Sequence, residues 1–141
     1  MTLPEQARDE EVAVREVGDA ADALVSAFAA HDRDAYFASF APDSTFVFHT
    51  SPHRFASRAE YQTEWTAWEA DGFHVDGCET SDRTIDLISP DIAVMTHRVR
   101  TRLAGVEQTQ RERETIVFRC TPEHRWQAVH EHLSPDPGED L

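Results

Sequence analysis

What the chain lacks narrows its class before any motif is read. Positive charge is scarce: 13 Lys plus Arg stand against 27 Asp plus Glu, a formal net charge of -14 over 141 residues. Such a chain repels phosphate backbones and anionic lipid surfaces, so neither nucleic acid nor membrane is an expected partner. Cysteine is nearly missing as well. Cys78 and Cys120 are too few for a disulfide framework and lack ligand-like spacing, so they read as small buried side chains. No apolar run approaches the roughly 20 residues of a membrane span. The amino terminus "MTLPEQARDEEV" lacks the basic-then-apolar order of a signal peptide, and a cytoplasmic location is the expectation. No cofactor motif is present. The length suits one domain over residues 1–141, with an acidic, proline-rich tail from residue 135 expected to be disordered.

The periodicity that is present changes once along the chain. Over residues 9–31, Val17, Ala21, Leu24 and Phe28 recur every three or four places, which predicts a long amphipathic helix. A shorter helical stretch, "DRDAYFASF", follows. "APDS" breaks the pattern before the strand "TFVFH". Ser57 and Glu60 have capping-box spacing, predicting a third helix that carries Tyr61, Trp65 and Trp68 on one face and stops near Gly72. After Gly72 the period becomes two, in long strand-like runs separated by "SPD", "LAGVE" and "TPEHR". Helices first and a meander afterwards predict an α+β fold, with a curved antiparallel sheet wrapped around an amino-terminal helical layer.

Alternation then divides each late strand into two sets. Ile92, Val94, Thr96 and Arg98, with Glu114, Ile116, Phe118 and Cys120, and with Val129, Glu131 and Leu133, form the set expected to face the helices. The opposite set includes His97, Val117, Ala128, His130 and His132. Its mixture of short, apolar and imidazole side chains suits a homodimer interface through the sheet face. A single bulge would invert this assignment locally.

On that reading Glu131 is an inward carboxylate among apolar neighbours, and two fates are open to it. Arg98 or Arg100 could neutralise it as an ion pair, or it could keep a raised pKa and work as a general acid or base. His49 and His53 lie in "FHTSPHRF", where a pocket mouth is expected, and His49 is the second candidate acid/base. Tyr61, Trp65, Trp68, Thr96, Arg98, Glu114 and Phe118 are the candidate ligand-binding residues, and Tyr36 reads as packing. His130 and His132, joined by His97, would be the only metal-like group, and a metal is not expected.

The run "ETIVFRCTPEHRWQAVHEHLSPDP", residues 114–137, resembles the nuclear-transport-factor-2-like superfamily, its SnoaL-like members and the association domain of calcium/calmodulin-dependent kinase II in particular. "ALVSAFAAHDRDAYFASFAPDSTF", residues 23–46, resembles the start of a ketosteroid isomerase or SnoaL-like cyclase. The resemblance implies a cone-shaped pocket and pairing through the sheet. It places Leu24 where the isomerase has its oxyanion-hole tyrosine and Phe48 or His49 at the general-base position. It also places Thr96, Ile116 and Leu133 where the association domain has arginines, so anion binding is not implied. Three functions are consistent with these residues: a homodimeric small-molecule-binding domain with an apolar pocket, a small cofactor-free isomerase or lyase using Glu131 or His49, and an oligomerisation module.

Overall fold

Helix α1 spans Leu3–Ala29 and buries Val17, Ala21 and Leu24, the face that its spacing predicts. The computed structural model describes residues 3–138. Helix α1 ends because the chain turns left-handed at His31, with φ 52°. The Asp32 N–H then reaches back to the Ala27 carbonyl at 2.8 Å and the His31 N–H to Phe28 at 3.0 Å, the paired bonds of a Schellman closure. Asp32 next accepts from the Ala35 N–H and so caps the short helix α2, Arg33–Ala38.

His31 does more than end a helix. Its Nδ1 accepts the Val75 N–H at 3.0 Å, which leaves the proton on Nε2 to donate to Glu69 at 2.9 Å. Its ring stacks on Trp65 with centroids 5.2 Å apart. One imidazole thus fastens the end of α1 to helix α3, Arg58–Ala70, and to the first residue of strand β2, Val75–Ser89. Helix α3 begins where the sequence indicates, with the Ser57 hydroxyl accepting from the Glu60 N–H at 3.2 Å. It closes at Gly72, whose φ of 97° glycine adopts without strain.

Strand β1, Phe40–Phe48, contains the "APDS" segment expected to be a break. The proline is tolerated because β1 is an edge strand whose pairing is irregular between Phe40 and Thr45. Strands β3, Ile92–Leu103, β4, Gln110–Cys120, and β5, Trp126–Pro135, follow the predicted separators. The five strands form one open sheet in the order β1-β5-β4-β3-β2. All neighbours are antiparallel except β1 and β5, which pair in parallel and so fold the amino-terminal strand against the last one. The fold is α+β, as expected.

Register settles which side chains face the helices. In an antiparallel pair, directly opposed residues share a face. His97 pairs with Glu114 and Met95 with Ile116, so β3 turns its odd positions inward when β4 turns its even ones. The inward side of β3 is therefore Ala93, Met95, His97 and Val99, the reverse of the assignment from apolarity. Ile92 and Val94 misled because both faces of β3 are apolar at that end. On β5, Val117 pairs with His130 but Phe118 with Ala128, which leaves Val129 as the extra residue of a bulge. Parity flips there. Trp126 and Ala128 point inward before the bulge and Glu131 and Leu133 after it, so Ala128, expected on the outer face, lies in the core, and Val129, expected inward, is the bulged residue.

The carboxy-terminal segment expected to be disordered from residue 135 starts as ordered chain. Pro135 opposes Glu112, and the Asp136 N–H donates to the Arg111 carbonyl at 3.1 Å. Residues 139–141 of that tail lie outside the described residues. Among the described residues no helix is long and apolar enough to cross a membrane.

The His31 fastening carries a measurable cost if removed. His31→Leu keeps most of the ring's volume but strands the Val75 N–H, beside a residue only 2% exposed. Urea unfolding should register a loss of about 1–3 kcal/mol. A change below about 0.5 kcal/mol would mean that the imidazole is not the fastening described.

The candidate active site: an acidic cavity without a cation

The inner face of the sheet and the three helices enclose a cavity of about 240 Å³. Leu24, Val25 and Phe28 of α1 form one wall, and Tyr36, Tyr61, Trp68 and Phe73 contribute aromatic surface. Glu112, Glu114 and Glu131 are its acidic lining residues, beside Thr50, Thr80, Thr101 and Gln110. All 13 basic residues of the chain are arginines, and none lines this cavity.

Glu131 stands in the wall at 3% exposure, placed there by the bulge at Val129. The expected arginine partners are elsewhere. Arg98 lies on the outer face of the sheet, 3.2 Å from Asp82 and 3.3 Å from Asp136, and Arg100 donates to the Ser81 hydroxyl at 3.3 Å. Instead the Tyr36 hydroxyl donates to Glu131 Oε2 at 3.3 Å. Because Tyr36 spends its proton there, Tyr61, 3.0 Å away, is the donor in the bond between the two phenols. On its other side the Glu131 carboxyl faces that of Glu114, near enough for each to shift the other's titration. His97 Nε2 closes the row at 2.6 Å from Glu114 Oε1.

Charge decides where the protons sit. Burial drives the Glu131 pKa well above the ordinary glutamate range, and the neighbouring Glu114 charge and hydrogen bond push it further. Glu114 is raised too, by burial first, but the bond from Glu131 opposes that rise. The two titrate as a pair, and the His97 N–H donated to Glu114 favours leaving the proton on Glu131. His97 is pushed down to about 4 by burial and then by Arg83, so it is neutral at pH 7 and donates its Nε2–H to Glu114. Tyr36 and Tyr61 are both raised well above 10, again chiefly by burial, and keep their protons. The result is a row of polar groups, with Tyr61 and Tyr36 donating toward Glu131 from one end, His97 donating to Glu114 from the other, and the two carboxyls facing each other between them.

Other expected residues fall in different places. His49 does not line the cavity; its Nε2 meets Glu112 Oε2 at 2.7 Å, so it holds a carboxylate that does. Tyr61, Trp68 and Glu114 line the cavity as expected. Trp65 is fully buried in the core under His31, and Phe118 lies in the core at 1% exposure. Thr96 is on the outer face, bonded to the Thr84 hydroxyl at 2.6 Å. His97, expected at the interface with Val117, His130 and His132, points inward and is 3% exposed. It therefore cannot join His130 and His132, whose rings are 6.3 Å apart on the other face, in a metal site. Cys78 lines the cavity, but burial lifts its thiol to about 11, so it is no thiolate nucleophile.

Sequence reading missed Tyr36 and Glu112. Glu112 was within reach, since "ERET" repeats glutamate at the period of the strand and Glu114 was already assigned inward. Tyr36 was not, because its bond to Glu131 joins residues 95 apart in the chain.

A family model described as a SnoaL-like domain matches residues 17–137. Among solved structures, an NTF2-like protein of unknown function from Pseudomonas putida superposes with a TM-score of 0.76 at 19% identity, over 92% of this chain and 91% of that one. A candidate scytalone dehydratase from Novosphingobium aromaticivorans gives 0.76 at 13% identity, over 96% and 91%. A candidate calcium/calmodulin-dependent protein kinase II association domain from Xanthomonas campestris gives 0.70 at 21%, over 89% of each. No curated protein matches the sequence. At these identities the superpositions speak for the fold alone.

The protonation pattern has a pH signature. The folded-state pKa of Glu131 lies above its unfolded value, so the stability tied to its proton is complete below the ordinary 4.5 and is lost as pH rises through the folded value. Glu131→Gln cannot ionise and escapes that loss. Urea unfolding from about pH 4 to pH 8 should find the variant gaining on the wild type as pH rises. A difference that stays flat or shrinks would contradict the assignment.

Proposed function

The chain belongs to the SnoaL-like domain family, and from that premise we propose that it is a cofactor-free catalyst of proton transfer, an isomerase or a lyase of the dehydratase kind, acting on a small, largely apolar molecule. One observation carries the reading: Glu131 lies in the cavity wall as a raised-pKa acid, between a phenol and a carboxylate, with no cation to fix its charge. A structural ion pair would hold a carboxylate permanently ionised. Glu131 is instead poised to exchange its proton.

The chemistry follows from the row of polar groups. In its acid form Glu131 donates to a substrate oxygen on which negative charge develops, whether an enolate or a departing hydroxyl. Tyr61 donates to Tyr36 and Tyr36 to Glu131, so the phenols stabilise the carboxylate left when Glu131 gives up its proton, in a cavity where low dielectric strengthens each bond. Once it has given up its proton, Glu131 is a carboxylate able to remove one from an adjacent carbon, while His97 keeps Glu114 in place. Leu24, at the position where the isomerase resemblance has a tyrosine, supplies no donor, and the phenols that back the acid come from two other helices, Tyr36 from α2 and Tyr61 from α3. The dehydratase for which one similar structure is named is consistent with this reading.

Hydrogen–deuterium exchange next to the carbonyl of bicyclic ketones, followed by NMR, tests the proton transfer without a known product. The wild type should accelerate exchange. Glu131→Gln should lower the rate by about 10²–10⁴-fold and Tyr36→Phe by less, with both proteins folded. Binding of the ketones without any acceleration would make this a binding domain rather than an enzyme.

Self-association through the outer sheet face belongs to the same proposal. Val94 and Val117 oppose each other there, beside half-buried His130, and the helices pack on the other side. One similar structure is named for an association domain. Val117→Glu combined with His132→Glu should convert dimers to monomers by light scattering. An unchanged mass would remove this face as the interface.

A further inference from the structure

The polar groups of the cavity are unbalanced in sign, and that imbalance specifies a ligand. Glu112, Glu114 and Glu131 all line it, and no arginine or histidine does. Glu112 and Glu114 stand two residues apart on β4 and so share its inner face. The imidazole of His49 touches Glu112 from outside the lining, on an exposed residue. His97, the only other imidazole on a lining carboxylate, is neutral at pH 7. With Glu131 holding its proton, Glu112 and Glu114 leave the interior negative, and no basic side chain among the lining residues balances them.

The walls are a second and separate observation. Phe28, Tyr36, Phe48, Tyr61, Trp68 and Phe73 line the same cavity. Aromatic faces carry the negative end of the ring quadrupole, so they attract a cation over the ring as well as an apolar body against it. A carboxylate or phosphate ligand would meet three glutamates and six aromatic rings with no compensating charge.

We propose that the molecule bound in this cavity is an aromatic or alicyclic amine, its ammonium group held between Glu112 and Glu114 and its ring body packed against the aromatic wall. This rests on the reading of the cavity as a catalytic pocket and adds the class of its substrate. The division of labour is chemical. The ammonium balances Glu112 and Glu114, and Glu131 keeps its proton for transfer. Hydrophobic burial of the ring supplies affinity common to any head group, and the carboxylates supply the preference among head groups.

Three probes with one body separate the possibilities: 2-naphthylmethylamine, 2-naphthylmethanol and 2-naphthoic acid, bound to the full chain and followed by calorimetry. The amine should bind about tenfold or more tightly than the alcohol, and the acid should bind weakest. Glu112→Gln combined with Glu114→Gln should erase the preference for the amine while leaving alcohol binding within about threefold, with circular dichroism confirming that the variant is folded. Equal or tighter binding of the alcohol or the acid overturns the proposal, as does no response to the amine at millimolar concentration. Amine preference persisting in the double variant overturns it too. Ketone exchange is read separately, so a protein that binds the amine and catalyses no exchange loses the enzymatic reading and keeps this one. A protein that catalyses exchange without preferring the amine does the opposite.

Discussion

A carboxylic acid in an apolar wall with no positive charge beside it is the constraint on which the site is built. Removing a carboxylate from water costs several kcal/mol unless a cation or several donors replace the solvent. The fold supplies donors and another carboxyl group instead of a cation. The cheapest arrangement is then for Glu131 to keep its proton and for Glu114 to carry the charge, backed by the His97 N–H. Tyr36 and Tyr61 complete the row with protons that burial makes harder to lose.

This arrangement depends on backbone geometry at two places. The bulge at Val129 turns Glu131 inward while leaving Ala128 inward before it, so the same strand serves the core at one end and the cavity at the other. The register of β3 on β4 sets His97 directly across from Glu114. The parallel pairing of β1 with β5 brings Phe46 opposite Glu131 and the end of β1 to the cavity mouth, where His49 meets Glu112. The His31 fastening holds α1 and α3 against β2, which keeps the phenols of α2 and α3 at hydrogen-bonding distance.

The sequence made the elements legible because each carries a local signal: the spacing of Val17, Ala21 and Leu24, the Ser57 cap, the separators between strands. Helix α1 stops two residues short of the expected place because the turn at His31 closes it, a left-handed conformation that histidine adopts only occasionally. The inward direction of Glu131 and of Glu114 was legible from alternation. The partners were not. Arg98 looked available to Glu131 only while β3 was taken in the wrong parity, and the register of the hairpin, which fixes parity, is not written in the strand itself. Trp65 and Trp68 share a helix at similar spacing, yet one is core and the other lines the cavity, because the stack on His31 buries the first.

The protonation state of one side chain therefore tests the account most directly. A carbon-detected NMR titration of the Glu131 carboxyl in the folded protein reads it without any substrate. The account predicts that its signal stays that of the acid well above 4.5, in a transition shared with Glu114. A Glu131 carboxyl that titrates together with the exposed glutamates would contradict it.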